Sequence, residues 1–305
     1  MQQPFFTEGV IYNMKFSDYP DKKWIALVDQ QTTSIRVYDL EEGTCAQGSE
    51  VWHFHAPWKN KFQDIRLRKL NGREVAAAAC DGTYACIIDI ETKSLLWSTH
   101  ECGRNPHSIE LLPCGIAAVG ATTGRALHFF DLNSDTPSHS AACYAPHDFH
   151  GLLYDPDADR LWAWGDSTLH LMKVGRTEGG IAYRVEAIYT CDTLWGHDLQ
   201  PVSGSCGKKL WLTNHPYVLQ FDTESHTFST DYSGAAVISD RNTKAIGSYA
   251  DGTVISMVQE GGFFPWTSYT IRVFTPSENG FTRRDIPIPG RASYKCRAWT
   301  AEYYG

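Results

Sequence analysis

The chain lacks any long apolar run. No stretch approaches the ~18 uninterrupted apolar residues of a membrane-crossing helix, so no membrane partner is expected. It also lacks a run of Lys and Arg able to track a phosphate backbone. With a formal net charge of −8, no nucleic-acid partner is expected. The opening residues, Met1-Gln2-Gln3-Pro4-Phe5-Phe6, have neither the basic nor the apolar region of a secretory signal, which points to a cytoplasmic protein. None of the nine cysteines forms a CxxC pair, and Cys80 and Cys86 fall inside apolar runs. That pattern predicts free buried thiols in a reducing compartment rather than a disulfide framework or a zinc site. Gly-x-Gly-x-x-Gly, Walker and Gly-x-Ser-x-Gly motifs are missing, so dinucleotide, P-loop and serine-elbow chemistry have no support.

What the chain does have is aromatic and β-branched material in short, evenly spaced runs. Aromatics make up 13% and charged residues only 20%, a composition suited to pleated sheets packed face to face. One strand recurs and ends in Asp: Ser34–Asp39, Ala85–Asp89, Leu127–Asp131 and Tyr217–Asp222, with Leu169–Val174 filling the gap without the Asp. Another strand precedes each, at Trp24–Asp29, Glu74–Cys80, Ile116–Ala121, Arg160–Gly165 and Lys209–Asn214. Turn residues come before most of these, and a more polar fourth strand follows, as at Ser94–Thr99 and Tyr183–Tyr189. Asp81-Gly82-Thr83 returns as Asp251-Gly252-Thr253, which reads as four repeats apart.

Four antiparallel strands per unit of roughly 40–50 residues predict an all-β fold, a single β-propeller over residues 1–305. Five regular units and a sixth after Gly234 give six four-stranded blades. The run Tyr294–Trp299 then pairs with the N-terminal blade to close the ring. The alternative is seven blades, with 269–303 and a strand at Val10–Phe16 forming the extra one.

Three histidines mark one register. His107, His150 and His197 are separated by 43 and 47 residues, and Asp64 stands 43 before His107. All four count back to the start of a first strand, where a propeller opens a funnel. The next unit places the small Gly234 near this position, and the closing strand offers Lys295 or Arg297, the latter matching Arg66. His215, after a second strand, could face the same funnel or the opposite rim.

Three chemistries compete. The histidines could tie neighbouring blades together by hydrogen bonds. They could hold a divalent cation on His107, His150 and His197, with an open position for water. Or they could act as acid and base on a uronic-acid sugar, where a base removes the proton α to the carboxylate and a cation steadies the enolate. On that reading His107 and His150 are the acid–base pair, Arg297 or Arg66 pairs with the carboxylate, and His197 orients substrate. Tyr294 and Tyr144 are further proton donors, and Trp195 and Trp299 are platforms for a sugar ring. The ligand expected is a small molecule or an oligosaccharide.

The runs Asn105-Pro106-His107-Ser108-Ile109-Glu110-Leu111-Leu112-Pro113, Phe149–Pro156 and Tyr294–Trp299 resemble a bacterial β-propeller family of unknown function across residues 24–300. More loosely, the His/Arg ring is similar to propeller polysaccharide lyases and to propeller enzymes acting on rhamnose–glucuronate linkages. That likeness implies His, Arg and Tyr, with a bound cation in some members, at the funnel and a β-elimination chemistry. A non-catalytic propeller that presents a ligand- or protein-binding face, and a metal-dependent hydrolase, are the other two expectations.

Overall fold

The computed structural model of the protein describes residues 15–304. Six four-stranded antiparallel sheets stand around one axis, so the count is six blades rather than seven. The inner strands are Ser293–Ala298, Phe62–Leu70, Pro106–Leu112, Gly151–Asp155, Asp198–Pro201 and Thr243–Ser248, for blades 1 to 6 in turn. Blade 1 is composite, because Ser293–Ala298 pairs with Trp24–Asp29 and closes the ring. The segment 269–303 therefore supplies the outer strands of blade 6 and the inner strand of blade 1. Val10–Phe16 lies outside the described residues except for Lys15 and Phe16, and Phe16 begins a 3-10 turn.

Two residue patterns explain the blades. Each adjacent pair of blades encloses its own cluster of buried apolar side chains, six in all. A strand buried on both faces needs a continuous apolar run, and Ile116–Ala121 supplies one. The recurring Asp has a local job. Asp39, Asp89, Asp131 and Asp222 each accept a backbone N–H from two or three residues ahead at 2.8–3.0 Å. The carboxylate thereby shapes the turn into the fourth strand. Asp81 and Asp251 do not share a place. Asp81 follows a second strand, on the face where the inner strands begin, whereas Asp251 follows a first strand, on the opposite face. Their shared motif is turn chemistry and not a repeat register.

The inner strands leave backbone groups facing the axis, and a buried carbonyl without a donor is costly. Long cationic side chains meet them there. Lys295 Nζ reaches the carbonyls of His107, His150 and His197 at 3.4, 3.2 and 3.3 Å. Arg66 donates to the carbonyls of Leu152 and Leu199 at 2.8 and 3.0 Å and to Gln200 at 2.6 Å. Arg297 donates to Asp64 at 2.9 Å and to Asp198 at 2.7 Å. Lower still, Arg68 forms a two-point pair with Glu110 at 2.7 and 2.8 Å. Tyr303 then covers this end, its ring 4.5 Å from the Arg68 guanidinium and its hydroxyl donating to the Leu111 carbonyl. The axis is a polar column with a wide opening at the end where the inner strands begin and a small cavity of about 30 Å³ beside Arg66, Arg68 and Tyr303 toward the other.

All nine cysteines are free, but Cys114, Cys143 and Cys206 are exposed rather than buried. Among the described residues no helix is long and apolar enough to cross a membrane.

Candidate functional site

At the open end lies a cavity of about 460 Å³ lined by His107, His150, His197, Gln63, Tyr294 and Lys61, with Phe264 and Trp266 along one wall. The beginning of each inner strand builds this tier by the same device. A bulge puts two residues opposite one at Phe62/Asp64, Pro106/Ser108 and Thr243/Ala245, and again at Tyr294-Lys295 opposite Val28. In blades 4 and 5 the His150 and His197 N–H groups donate to the carbonyls of Trp164 and Thr213, the residues already paired with Gly151 and Asp198. A bulge re-aims the extra side chain. The six aimed residues are Gln63, His107, His150, His197, Lys244 and Tyr294.

That register corrects three expectations. Asp64 is one residue too late. Gln63 holds the funnel position, and Asp64 is fully buried beneath it on Arg297. Gly234 is not the blade 6 member, since it precedes a short helix at Ala235–Ile238 and Lys244 takes the place. In the closing strand the member is Tyr294, while Lys295 and Arg297 lie below it.

The three imidazoles converge. His107 and His150 ring centres are 4.8 Å apart and those of His150 and His197 5.0 Å, each pair edge to face. His107 Nδ1 lies 3.1 Å from the Asn105 carbonyl, so Nδ1–H donates and Nε2 is left as an acceptor. His150 Nδ1 stands 2.9 Å from Asp148 Oδ1, a close charge contact without hydrogen-bond geometry, and neither atom has another hydrogen-bond partner. His197 Nε2 is 2.8 Å from Lys244 Nζ. Burial holds His107 well below the usual histidine value, with His150 and Lys295 adding to the effect. Burial, then His150 and Lys244, do the same to His197. Burial also lowers Lys244 to about 8, with Lys295 adding repulsion.

This donor set does not fit a divalent cation. The Lys244 ammonium takes the His197 lone pair, and Lys295 places a second cation directly under the tier. Among the described residues no group of three His, Cys, Asp or Glu converges in metal-ligand geometry. The expected cation on His107, His150 and His197 is therefore not supported, and neither is a metal-dependent hydrolase.

Other expected residues are placed apart. Arg297, 2% exposed, serves Asp64 and Asp198, and Arg66 serves the axis below. Neither guanidinium lines the cavity. Trp299 is buried at the opposite face against Phe16. Trp195 and His215 stand together on the rim of the funnel face, ring centres 5.2 Å apart, outside the cavity lining. Tyr144 lies between blades 3 and 4, its hydroxyl 3.2 Å from His170 Nδ1. The aromatic wall went unread in the sequence. Phe264 and Trp266 stack at 5.3 Å and 3°, Trp266 Nε1 donates to Gln30 at 2.8 Å, and Lys61 Nζ sits 5.1 Å from the Phe264 ring. The available signal was the segment Phe263-Phe264-Pro265-Trp266, three aromatics in four residues after two glycines.

No family model and no curated protein matches the chain, so the resemblance to a bacterial family or to polysaccharide lyases has no support beyond the fold. Solved structures do match, 1302 chains in all, a breadth that identifies an architecture and not a job. One is a chain of the "Crystal Structure of Mitotic Checkpoint Complex", which superposes with a TM-score of 0.56 at 12% identity, over 90% of this chain and 77% of that one. What the comparisons establish for this protein is the β-propeller fold.

Proposed function

We propose that the funnel binds an oligosaccharide carrying a uronic acid and cleaves it by β-elimination. The observation that carries this reading is the His150 imidazole in an open polar cavity, 4.8 Å from the His107 ring and 5.0 Å from the His197 ring, with the Asp148 carboxylate 2.9 Å from its Nδ1 and Tyr294 in the same lining. The Asp148 carboxylate, 2.9 Å from Nδ1, stabilises positive charge on the ring, and the His150 Nε2 lone pair acts as the base and takes the proton α to the carboxylate. The electron pair left behind forms the new C=C bond, and the glycosidic C–O bond at the β position breaks. The leaving oxygen takes the Tyr294 hydroxyl proton, and the His150 proton returns to the phenolate through solvent. Burial raises the Tyr294 hydroxyl pKa and keeps the proton in place until then. Lys61, on the cavity wall, exchanges its 3.4 Å contact with Asp81 for the substrate carboxylate, the role expected of Arg297 from the sequence. No serine or cysteine lines the cavity among the described residues, so a Ser–His or Cys–His nucleophile is not built there.

The test is ultraviolet absorbance of the unsaturated uronate product with a panel of oligouronides. Removing a general base lowers the rate about 10²–10⁴-fold, so His150→Ala should fall by that factor and Asp148→Asn by less. No product from wild type on any member, or an unchanged rate in His150→Ala, removes the proposal.

A second reading is a propeller that presents a protein-binding face. It is favoured by the exposure of Leu194, Trp195, Tyr217, Phe263 and Trp266 on the funnel face, and by the likeness in fold to a chain of the mitotic checkpoint complex. Full binding of a partner by His150→Ala, with no sugar turnover in wild type, would favour it over the lyase.

A further inference from the structure

Two separate exposed aromatic platforms stand on the funnel face, on different blades. The first is the Phe264–Trp266 stack. Its loop leaves blade 6 but crosses to blade 1 through Gln30 and to the entry of blade 2 through Lys61. The second is Trp195 beside His215, on blade 5. In a ring of six, blade 5 stands opposite blade 2. Trp195 is 59% exposed and Trp266 43%.

Trp195 also carries backbone strain. Its φ is +65°, a left-handed conformation that a bulky residue seldom adopts. The neighbouring Gly196 fixes the geometry, since a Cβ there would meet the Trp164 ring at 2.4 Å. A strained backbone that holds an indole out into water, rather than into one of the six cores, calls for a reason outside the fold.

A protein partner prefers one contiguous apolar patch. Here the apolar groups are split in two by a pit lined with imidazoles, Gln63 and Tyr294. Sugars match that division. The C–H face of a ring lies on a flat aromatic side chain, and its hydroxyls point to hydrogen-bonding groups. From this arrangement we infer that the substrate is a chain of several sugars lying across the mouth, one ring on Trp266, one on Trp195, and the scissile linkage above His150 between them. The inference rests on the lyase reading and adds that cleavage falls inside the chain.

The experiment uses oligouronides of two to eight residues, with initial rates and, independently, binding read from tryptophan fluorescence. Affinity and kcat/KM should rise with length until both platforms are spanned, and the first products from the longest member should be internal fragments. Trp195→Ala and Trp266→Ala should each remove about tenfold of the gain on the longest member, equivalent to one stacked ring. Tyr19→Ala, on the opposite face, should leave the length profile as in wild type, and melting temperatures check that all variants fold. Product that forms with no dependence on length, or only terminal units released, overturns the inference and leaves the lyase standing. Length-dependent binding without product supports the platforms and removes the lyase. Neither binding nor product overturns both.

Discussion

Arg297→Met should damage folding rather than the funnel. The guanidinium is the partner of two carboxylates, Asp64 and Asp198, both with fully buried side chains. Burial opposes the charge on Asp198, yet Arg297 and then Lys295 hold its carboxyl below the usual range. Once Arg297 is removed, Asp64 keeps the Arg66 guanidinium, 3.8 Å away, and the charge of Lys295 nearby. Asp198 keeps Lys295 at 3.7 Å and the Ile246 N–H at 3.0 Å. Breaking a buried pair from one side costs about 3–5 kcal/mol, a large share of a typical total of about 5–15 kcal/mol. Urea unfolding near neutral pH should show a lower midpoint with an unchanged slope. The sign with pH follows from linkage. In wild type the depressed Asp198 pKa gives stability that is present above the unfolded carboxylate value and lost as pH falls through the folded value. In the variant the orphaned carboxylates favour their protonated forms, so its deficit against wild type should shrink as pH falls. Adding Asp64→Asn and Asp198→Asn should recover part of the loss, because neutral amides need no counter-charge. A variant with the wild-type midpoint but lost sugar binding would refute the reasoning and return Arg297 to the funnel.

Acid should weaken the fold through the funnel tier. His107 and His197 are held below the ordinary value by burial, so the unfolded chain binds their protons more readily. Stability should therefore rise with pH through the window ending near the usual histidine value of about 6.5, and His107→Gln should flatten that rise. Melting curves across mildly acid pH decide this, and an identical slope in His107→Gln would contradict the assignment. Thiol titration offers a separate check on the packing. Three cysteines, Cys114, Cys143 and Cys206, should react in the native protein, and the remaining six only after unfolding.

The blades were legible because their marker has a mechanical cause. An Asp that shapes a turn must recur wherever the turn recurs, and an apolar run buried on both sides is hard to disguise. The funnel was legible only in part. The first hairpin of blade 2, Phe62 to Cys80, is longer than that of blade 3, Pro106 to Ala121, so a fixed step of 43 back from His107 landed on Asp64 rather than Gln63. The irregular connection with its short helix before Thr243 hid Lys244, although steps of 44, 43, 47, 47 and 50 residues link the six members from Gln63 to Tyr294. Arg297 and Arg66 misled for a physical reason. A guanidinium near a cluster of imidazoles reads as a substrate clamp, but on a propeller axis it also satisfies carbonyls and carboxylates from several blades. Sequence spacing does not separate those two uses. Tertiary contact does, through Leu152, Leu199, Asp64 and Asp198.

The strand Ser293–Ala298 has a consequence for biosynthesis. It is translated after the inner strands of blades 2 to 6, yet it brings the ammonium that gathers three histidine carbonyls and the guanidinium that neutralises two aspartates. Until it leaves the ribosome, the nascent wheel has an unfastened gap and two repelling carboxylates at its hub. The pit and the closure of the ring are thus completed together, and a nascent chain that stops short of residue 293 has neither.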